Sequence, residues 1–217
     1  MRKLLWLSAL AALLAAPSAV AATNAAAEAP RLSANKLKVV YGGAVAFSGS
    51  LPVTRAGEKV ALRADVVQPN GRKQASTLAE ATTDGAGAFS FTDVPIAETA
   101  YTAVWRPLPS ATSPPVLVQV APRIRLALVR KVGRVVTFST KATSAIPYRG
   151  RHVLVQRRDG LGKWVSLKRV IVTSNAADTR TDVRLPLGLS RIRVLMPQSQ
   201  VGTGYVTGVS RVILIRL

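Results

Sequence analysis

Apolar residues alternate with polar or small residues along most of the chain after residue 30. This pattern is typical of half-buried β-strands. Val45, Phe47 and Leu51 mark one such run, and Val60 and Leu62 mark the next. Turn-forming residues separate the runs at intervals of roughly eight to twelve residues, and no stretch combines helical periodicity with capping residues. The alternation therefore predicts an all-β fold.

Residues 82–91 form the most distinctive local sequence, Thr-Thr-Asp-Gly-Ala-Gly-Ala-Phe-Ser-Phe. Asp84 and the two glycines that follow it predict a tight turn between two adjacent strands, a β-hairpin. Phe89 and Phe91 lie on one face of the second strand, so we expect both in the core. The segment does not fit a calcium-binding loop, because alanines stand at the third and fifth positions.

Landmarks of the first half recur in the second half at nearly constant spacing. Glycine, valine and phenylalanine recur in the same order ninety-one residues later, as Gly42, Val45, Phe47 and as Gly133, Val136, Phe138. Matching order at matching spacing indicates an internal duplication. We therefore predict two domains, residues 31–121 and 122–217, joined end to end and semi-rigidly through a proline-containing junction. The second copy lacks an Asp-Gly turn before its fifth strand.

The N-terminus has the pattern of a secretory signal peptide. Two basic residues precede an apolar run from Leu4 to Ala16, which is followed by a proline and small residues. We predict a signal-peptide helix over residues 1–22, with cleavage after Ala21 or Ala22, and a flexible leader over residues 23–30. A membrane anchor is the alternative, but the run is shorter than the ~20 residues that a spanning helix needs. We expect secretion and no transmembrane anchor after cleavage.

Several segments resemble a known class of domain. They are Tyr41–Phe47, the turn at Asp84, Thr99–Tyr101 and the stretch from Gly150 to Trp164. Together they resemble the bacterial immunoglobulin-like or fibronectin-like repeats of secreted actinobacterial-type proteins. The resemblance covers residues 31–217 and implies two tandem immunoglobulin-like antiparallel β-sandwiches. It also implies a cell-surface or cell-wall location and a role as spacer, adhesin or accessory domain.

The sequence contains no cysteine and carries a net charge of +20, distributed unevenly. Without cysteine, neither domain can have the inter-sheet disulfide of antibody domains. Residues 31–122 contain 9 Lys or Arg against 6 Asp or Glu, whereas residues 123–217 contain 19 against 3. A field of this sign attracts polyanions. The alternative is that the basic side chains serve only solubility.

Strand parity predicts where part of this charge lies. In an immunoglobulin-like sandwich the third, sixth and seventh strands are neighbours in one sheet. Placing the valines and isoleucines of these strands inward turns four arginines outward on one face: Arg158, Arg191, Arg193 and Arg216. Guanidinium groups match phosphate and carboxylate geometry. We predict that this face binds an anionic cell-wall polymer or acidic polysaccharide, with a merely solvated face as the alternative.

The residues that catalysis would need are few. The single histidine, His152, should point outward from its strand, and Asp178 and Asp182 should stand roughly 13 Å apart on a solvated surface. One histidine without cysteine does not make a metal cluster, and no dinucleotide-binding fingerprint is present. We predict no catalytic residues, no metal and no cofactor. Trp164 could stack on a sugar ring, but packing in the core or at the sandwich edge is favoured.

These expectations combine into one functional hypothesis and two alternatives. The hypothesis is a secreted, non-enzymatic surface or wall-associated binding or spacer protein. The first alternative is an accessory domain pair of a secreted hydrolase or a carbohydrate-binding protein. The second is a nucleic-acid binder, which export and the lack of an aromatic stacking platform in the basic half make unlikely.

Overall fold

The structure is a computed structural model that describes residues 29–106 and 110–217. The predicted signal peptide and residues 23–28 of the leader lie outside these residues. Within them the chain forms seventeen strands and one short helix, so the fold is all-β as expected. No helix in the described part of the chain has the length and apolar character needed to cross a membrane.

The first half of the chain forms two sheets from nine strands. The strands are β1 (Arg31–Ala34), β2 (Lys38–Val40), β3 (Val45–Ser50), β4 (Lys59–Val67), β5 (Lys73–Thr82), β6 (Ala88–Asp93), β7 (Thr99–Trp105), β8 (Ala111–Thr112) and β9 (Val116–Ala121). One sheet has the order β1-β3-β6, and the other has the order β2-β9-β7-β4-β5 with β8 also paired to β7. All pairings are antiparallel except that of β2 with β9.

The second half repeats this arrangement with eight strands. They are β10 (Arg123–Val132), β11 (Val135–Thr143), β12 (His152–Arg158), β13 (Trp164–Ile171), β14 (Thr179–Arg184), β15 (Leu189–Met196), β16 (Gly208–Val209) and β17 (Ile213–Arg216), with helix α1 (Gln198–Val201) after β15. One sheet has the order β10-β11-β14. The other, hereafter the five-stranded sheet, has the order β13-β12-β15-β16 with β17 also paired to β15.

Every strand of the first half except β2 has a counterpart in the second. The order β9-β7-β4-β5 of the first half matches β17-β15-β12-β13 of the second, and β1-β3-β6 matches β10-β11-β14. A buried serine provides a detailed match: the Ser113 hydroxyl accepts the N–H of Ala103 at 2.9 Å, and the Ser210 hydroxyl accepts the N–H of Val194 at 2.9 Å. The chain is therefore two tandem antiparallel β-sandwiches of one topology.

The alternating residues fill the cores as the sequence predicts. Val45, Phe47 and Leu51 are buried, and so are Phe89 and Phe91. Each phenylalanine removes a large apolar area from water, so these side chains dominate the packing of the first sandwich. The counterparts of Val45 and Phe47 in the second half, Val136 and Phe138, are completely buried.

The predicted hairpin at Asp84 is wrong. Strand β5 pairs with β4 and strand β6 pairs with β3, so the turn carries the chain from one sheet to the other. Strand β5 is an edge strand with almost no buried residue, whereas β6 presents Phe89 and Phe91 to the core. Burial of the two aromatic rings therefore decides which sheet β6 joins.

The second half has the same turn at a different place. The Asp84 carboxylate accepts the N–H groups of Ala86 and Ala88 at 2.9 Å each. Asp159 likewise accepts the N–H groups of Leu161 and Lys163, at 2.9 and 2.8 Å. Between β12 and β13 this Asp-Gly-x-Gly turn does close a hairpin.

A short junction and several hydrogen bonds join the two sandwiches. Only Pro122 separates the end of β9 from the start of β10. The Tyr205 hydroxyl donates to the carbonyl of Ile96 in the first sandwich at 2.6 Å and accepts the N–H of Ala145 in its own sandwich at 3.2 Å. The N–H of Val206 donates to the carbonyl of Val120 at 2.9 Å. Backbone and side chain thus both contribute to the contact between the sandwiches.

Candidate anion-binding surface

The strand registers place the four predicted arginines on one face of the five-stranded sheet. Gln156 of β12 lies opposite Arg193 of β15, and the register continues so that Arg158 falls opposite Arg191. Residues two apart on a strand share a face, so Arg158, Arg191 and Arg193 point the same way. Arg216 joins them because it pairs with Leu189, two residues before Arg191.

A fifth arginine, which the sequence analysis missed, lies on the same face. Arg169 of β13 is exposed and pairs with Leu154, two residues before Gln156. A register shift between β12 and β13 interrupts the alternation at Gln156, and the parity argument did not include β13. The sequence carries no clear signal for Arg169, because the position of β13 against β12 depends on this register shift. We call the outer face that carries Arg158, Arg169, Arg191, Arg193 and Arg216 the arginine face.

The carboxylates of the second sandwich lie elsewhere. Asp178 accepts two hydrogen bonds from Arg125, at 3.0 and 3.2 Å, and one from Ser139 at 3.0 Å. Partial burial raises the pKa of Asp178, but these hydrogen bonds outweigh it and lower the pKa overall. Asp182 accepts a hydrogen bond from Thr137 at 2.6 Å. Asp182 is exposed, in line with the expected solvated surface, whereas Asp178 is half-buried and bonded, so the expectation is wrong for Asp178.

The arginine face has no acidic partner within the described residues. The third carboxylate, Asp159, lies in the β12–β13 turn and accepts backbone N–H groups. Over residues 123–217, the ion pair of Arg125 with Asp178 is the only one. No carboxylate of residues 29–106 or 110–217 therefore neutralises the guanidinium groups of the arginine face.

Arg193 is the most constrained of the five arginines. Its Nε donates to the side-chain oxygen of Gln156 at 2.9 Å, and Gln156 in turn donates to Ser166 at 3.3 Å. Its guanidinium carbon lies 4.0 Å from the centroid of the Trp164 ring, within the range of a cation–π interaction. Burial lowers the pKa of Arg193. Arg193 is therefore fixed in position by Gln156 and Trp164.

Trp164 lies outside the hydrophobic core. It is the first residue of β13, the edge strand of the five-stranded sheet, and is half-buried beneath Arg193. Of the two predicted placements, core or sandwich edge, the structure shows the edge. One face of the ring is occupied by the guanidinium and is closed to a sugar.

The remaining arginines present their charge to solvent. Arg158 is exposed and donates through Nε to the carbonyl of Gly162 at 2.9 Å, and its terminal nitrogens have no hydrogen-bond partner among the described residues. Arg191 and Arg216 are exposed, and their side chains have no hydrogen-bond or ion-pair partner among residues 29–106 and 110–217. These three guanidinium groups are free to bind an anion.

His152 points outward from β12, as predicted, and is half-buried at the other end of the same face. Burial and the charge of Arg169 lower its pKa, which favours the neutral imidazole. Within the part of the chain that the structure describes, no three His, Cys, Asp or Glu residues lie close enough together to hold a metal ion.

Comparison with known proteins identifies no family. No family model matches the chain, and no curated protein matches it. Among solved structures, it is similar to red sea bream transglutaminase (13% identity, TM-score 0.42, covering 87% of this chain and 31% of that one). It is also similar to the D0-D1 domain of intimin (14%, TM-score 0.32, covering 86% and 98%). A third is a tetra-tandem repeat in the extending region of a large adhesion protein (15%, TM-score 0.35, covering 86% and 48%).

The chain spans about a third of the transglutaminase chain and about half of the adhesion-protein repeat. All three TM-scores are below 0.5 at low identity. No conclusion about activity or partners follows from them.

Proposed function

We propose that this chain is a secreted, non-enzymatic surface or wall-associated protein that binds an anionic extracellular polymer through its arginine face. The observation that carries the proposal is the set of arginines without acidic partners on one side of the second sandwich. The first sandwich, with nearly balanced charge, acts as a spacer. The predicted signal peptide supports an extracytoplasmic location.

Repulsion among the arginines favours the binding of an anion to this face. Arg158 lies opposite Arg191 by extension of the β12–β15 register, and like charges opposite each other destabilise a sheet. Trp164 and Gln156 offset this cost only for Arg193. A bound anion would relieve the repulsion among the other arginines, so binding should stabilise the fold.

The spacing of the arginines fits an extended ligand better than a single small anion. Residues two apart on a strand are roughly 7 Å apart, and neighbouring strands are about 4.8 Å apart. Arg158, Arg191 and Arg216 lie in a row across three adjacent strands, β12, β15 and β17, with Arg216 displaced by two residues along its strand. Repeated phosphates or carboxylates along a polymer can occupy such a row, each with a bidentate contact.

The direct test is retention on heparin and on polyphosphate, measured over a salt gradient. The informative variant is Arg191→Glu with Arg216→Glu, because neither side chain supports the fold through a bond. We expect this double variant to elute at much lower salt than the wild type. The matched control is Arg31→Glu with Arg72→Glu in the first sandwich, which makes the same change in net charge at two exposed arginines.

Equal losses in both double variants would show that net charge alone causes retention, and would refute the arginine face as a site. Retention on neutral dextran would instead favour a carbohydrate-binding protein. Turnover of any polysaccharide or ester substrate would contradict the non-enzymatic part of the proposal. A mature N-terminus at Ala22 or Thr23 in the culture medium would support secretion.

A further inference from the structure

The end of the second sandwich farthest from the junction carries large apolar side chains on its loops. Leu161 is 85% exposed, Leu187 is 74% exposed and Val132 is 59% exposed. Each lies at or beside a turn between strands, where solvent-exposed residues are usually polar. Exposed apolar groups clustered at one place commonly mark an interaction site.

Hydrogen bonds show that two of these loops are adjacent. The turn after Val132 contains Arg134, whose carbonyl accepts the N–H of Leu185 at 2.9 Å and whose Nε donates to the Leu185 carbonyl at 3.1 Å. Residues 185–188 form the next loop, and Gly188 exchanges two hydrogen bonds of 3.2 Å with the terminal Leu217. The loops around Val132 and Leu187 are therefore tied together.

The third loop reaches the same end through the five-stranded sheet. Arg158, the last residue of β12, falls opposite Arg191 of β15. The turn at residues 159–163 therefore lies at the end of the sheet where β15 begins with Leu189. The 185–188 loop directly precedes Leu189. We call the loops at residues 132–135, 159–163 and 185–188 the distal tip. The tip carries Leu161, Leu187 and Val132 together.

Basic residues surround the tip and acidic ones do not. Lys131, Arg134, Lys163 and Arg158 lie in or next to the three loops. The one acidic side chain there, Asp159, accepts two backbone N–H groups within its own turn. Protruding leucines ringed by cationic side chains are complementary to the interface of an anionic bilayer, which offers headgroup charge at the level of the rim and hydrocarbon beneath it.

We propose that the distal tip docks onto an anionic lipid surface, with Leu161 and Leu187 inserted among the lipids and the basic rim on the headgroups. A second copy of the chain is a poorer partner because it would bring two basic rims together. The inference does not rest on polymer binding by the arginine face, since its central residues are the loop leucines.

The test is co-sedimentation with vesicles. Protein beginning at Thr23 retains every described strand and lacks the apolar run at Leu4–Ala16, which would bind lipid by its own hydrophobicity. We expect it to bind vesicles that contain phosphatidylglycerol and to bind pure phosphatidylcholine vesicles weakly. The Leu161→Ser and Leu187→Ser changes should each lower the partition coefficient roughly tenfold.

The matched control is Ile171→Ser, because Ile171 is 57% exposed on the same sheet but lies at the opposite end of β13. It should leave vesicle binding unchanged. Quenching by brominated lipids measures how deeply a side chain is inserted into the bilayer. The tryptophan fluorescence of Leu161→Trp should be quenched, and that of Ile171→Trp should not.

Three outcomes would overturn the proposal. One is vesicle binding that survives both leucine substitutions but is lost in Arg191→Glu with Arg216→Glu, since the arginine face alone would then explain it. Another is a concentration-dependent dimer, seen by ultracentrifugation, that the leucine substitutions abolish. The third is no binding to anionic vesicles by the folded wild type. A wild-type protein that is not retained on heparin or polyphosphate but still binds vesicles would refute only the polymer proposal.

Discussion

The guanidinium group of Arg193 stacks on the ring of Trp164, 4.0 Å from its centroid, across neighbouring positions of β15, β12 and β13. The stack explains how an arginine is tolerated, half-buried, among other arginines. Arg193 is therefore held in place by its partners, whereas the side chains of Arg191 and Arg216 have no partner among the described residues.

We expect a double-mutant cycle on this pair to give a coupling free energy of about 0.5 to 2 kcal/mol. The variants are Trp164→Leu, Arg193→Gln and the combination, and the measurement is unfolding by urea. Arg191→Gln in place of Arg193→Gln serves as the control and should show no coupling to Trp164. A coupling as large for Arg191 as for Arg193 would contradict the stack.

The two Asp-Gly-x-Gly turns should respond differently to alanine at their second glycine. Gly87 has φ 75°, and a Cβ there would lie 2.2 Å from the carbonyl oxygen of Val53. Gly162 has φ 80°, but its Cβ would approach only the flexible Arg158 guanidinium, at 3.3 Å. We expect Gly162→Ala to cost about 1 to 2 kcal/mol from backbone conformation.

Gly87→Ala should cost clearly more, about 3 kcal/mol or above, because the Val53 backbone must also move. Thermal or urea unfolding of the two variants measures the difference. Equal losses would show that the close contact with Val53 has no energetic consequence.

Alkaline pH should destabilise the protein partly through Tyr148. Burial raises the pKa of its phenol from 10.0 to about 12. Between these values an unfolded chain releases the proton while the folded protein retains it, so the contribution to stability is complete below pH 10 and declines as pH rises toward 12.

Tyr148→Phe removes this contribution. The variant should therefore lose less stability than the wild type between pH 10 and pH 12, as measured by the unfolding midpoint. Parallel pH profiles for the two proteins would contradict a role for the buried phenol.

Tyr205 should couple the two sandwiches. Its hydroxyl donates to the Ile96 carbonyl and accepts the Ala145 N–H, and Tyr205→Phe removes both bonds. We expect a loss of about 1 to 2 kcal/mol and faster hydrogen exchange at the Ala145 amide. Tyr148→Phe is the control for loss of a buried hydroxyl. Unchanged protection of the Val206 amide, which donates to the Val120 carbonyl of the first sandwich, would show that the hydroxyl does not couple the sandwiches.

Much of the fold follows from local patterns. The alternation at Val45 and Phe47 identifies a strand and its buried face, and the ninety-one-residue spacing identifies the duplication. The arginine face could be predicted in outline. Once the valines of β12, Val153 and Val155, and their counterparts on neighbouring strands are placed inward, strand alternation turns the residues between them outward. Arg169 and the stacked state of Arg193 could not, since both depend on β13, whose register shifts against β12.

The Asp-Gly-x-Gly turn shows where local information stops. Its conformation is encoded within five residues, because the aspartate at the start accepts the N–H groups two and four positions later in both copies. What the turn connects is not encoded there. After Asp159 the chain returns along the same sheet, whereas after Asp84 it crosses to the other, since only that sheet lets Phe89 and Phe91 enter the core. Short-range hydrogen bonds shape a turn, but the burial of apolar side chains distant in sequence selects the partner of the strand that follows it.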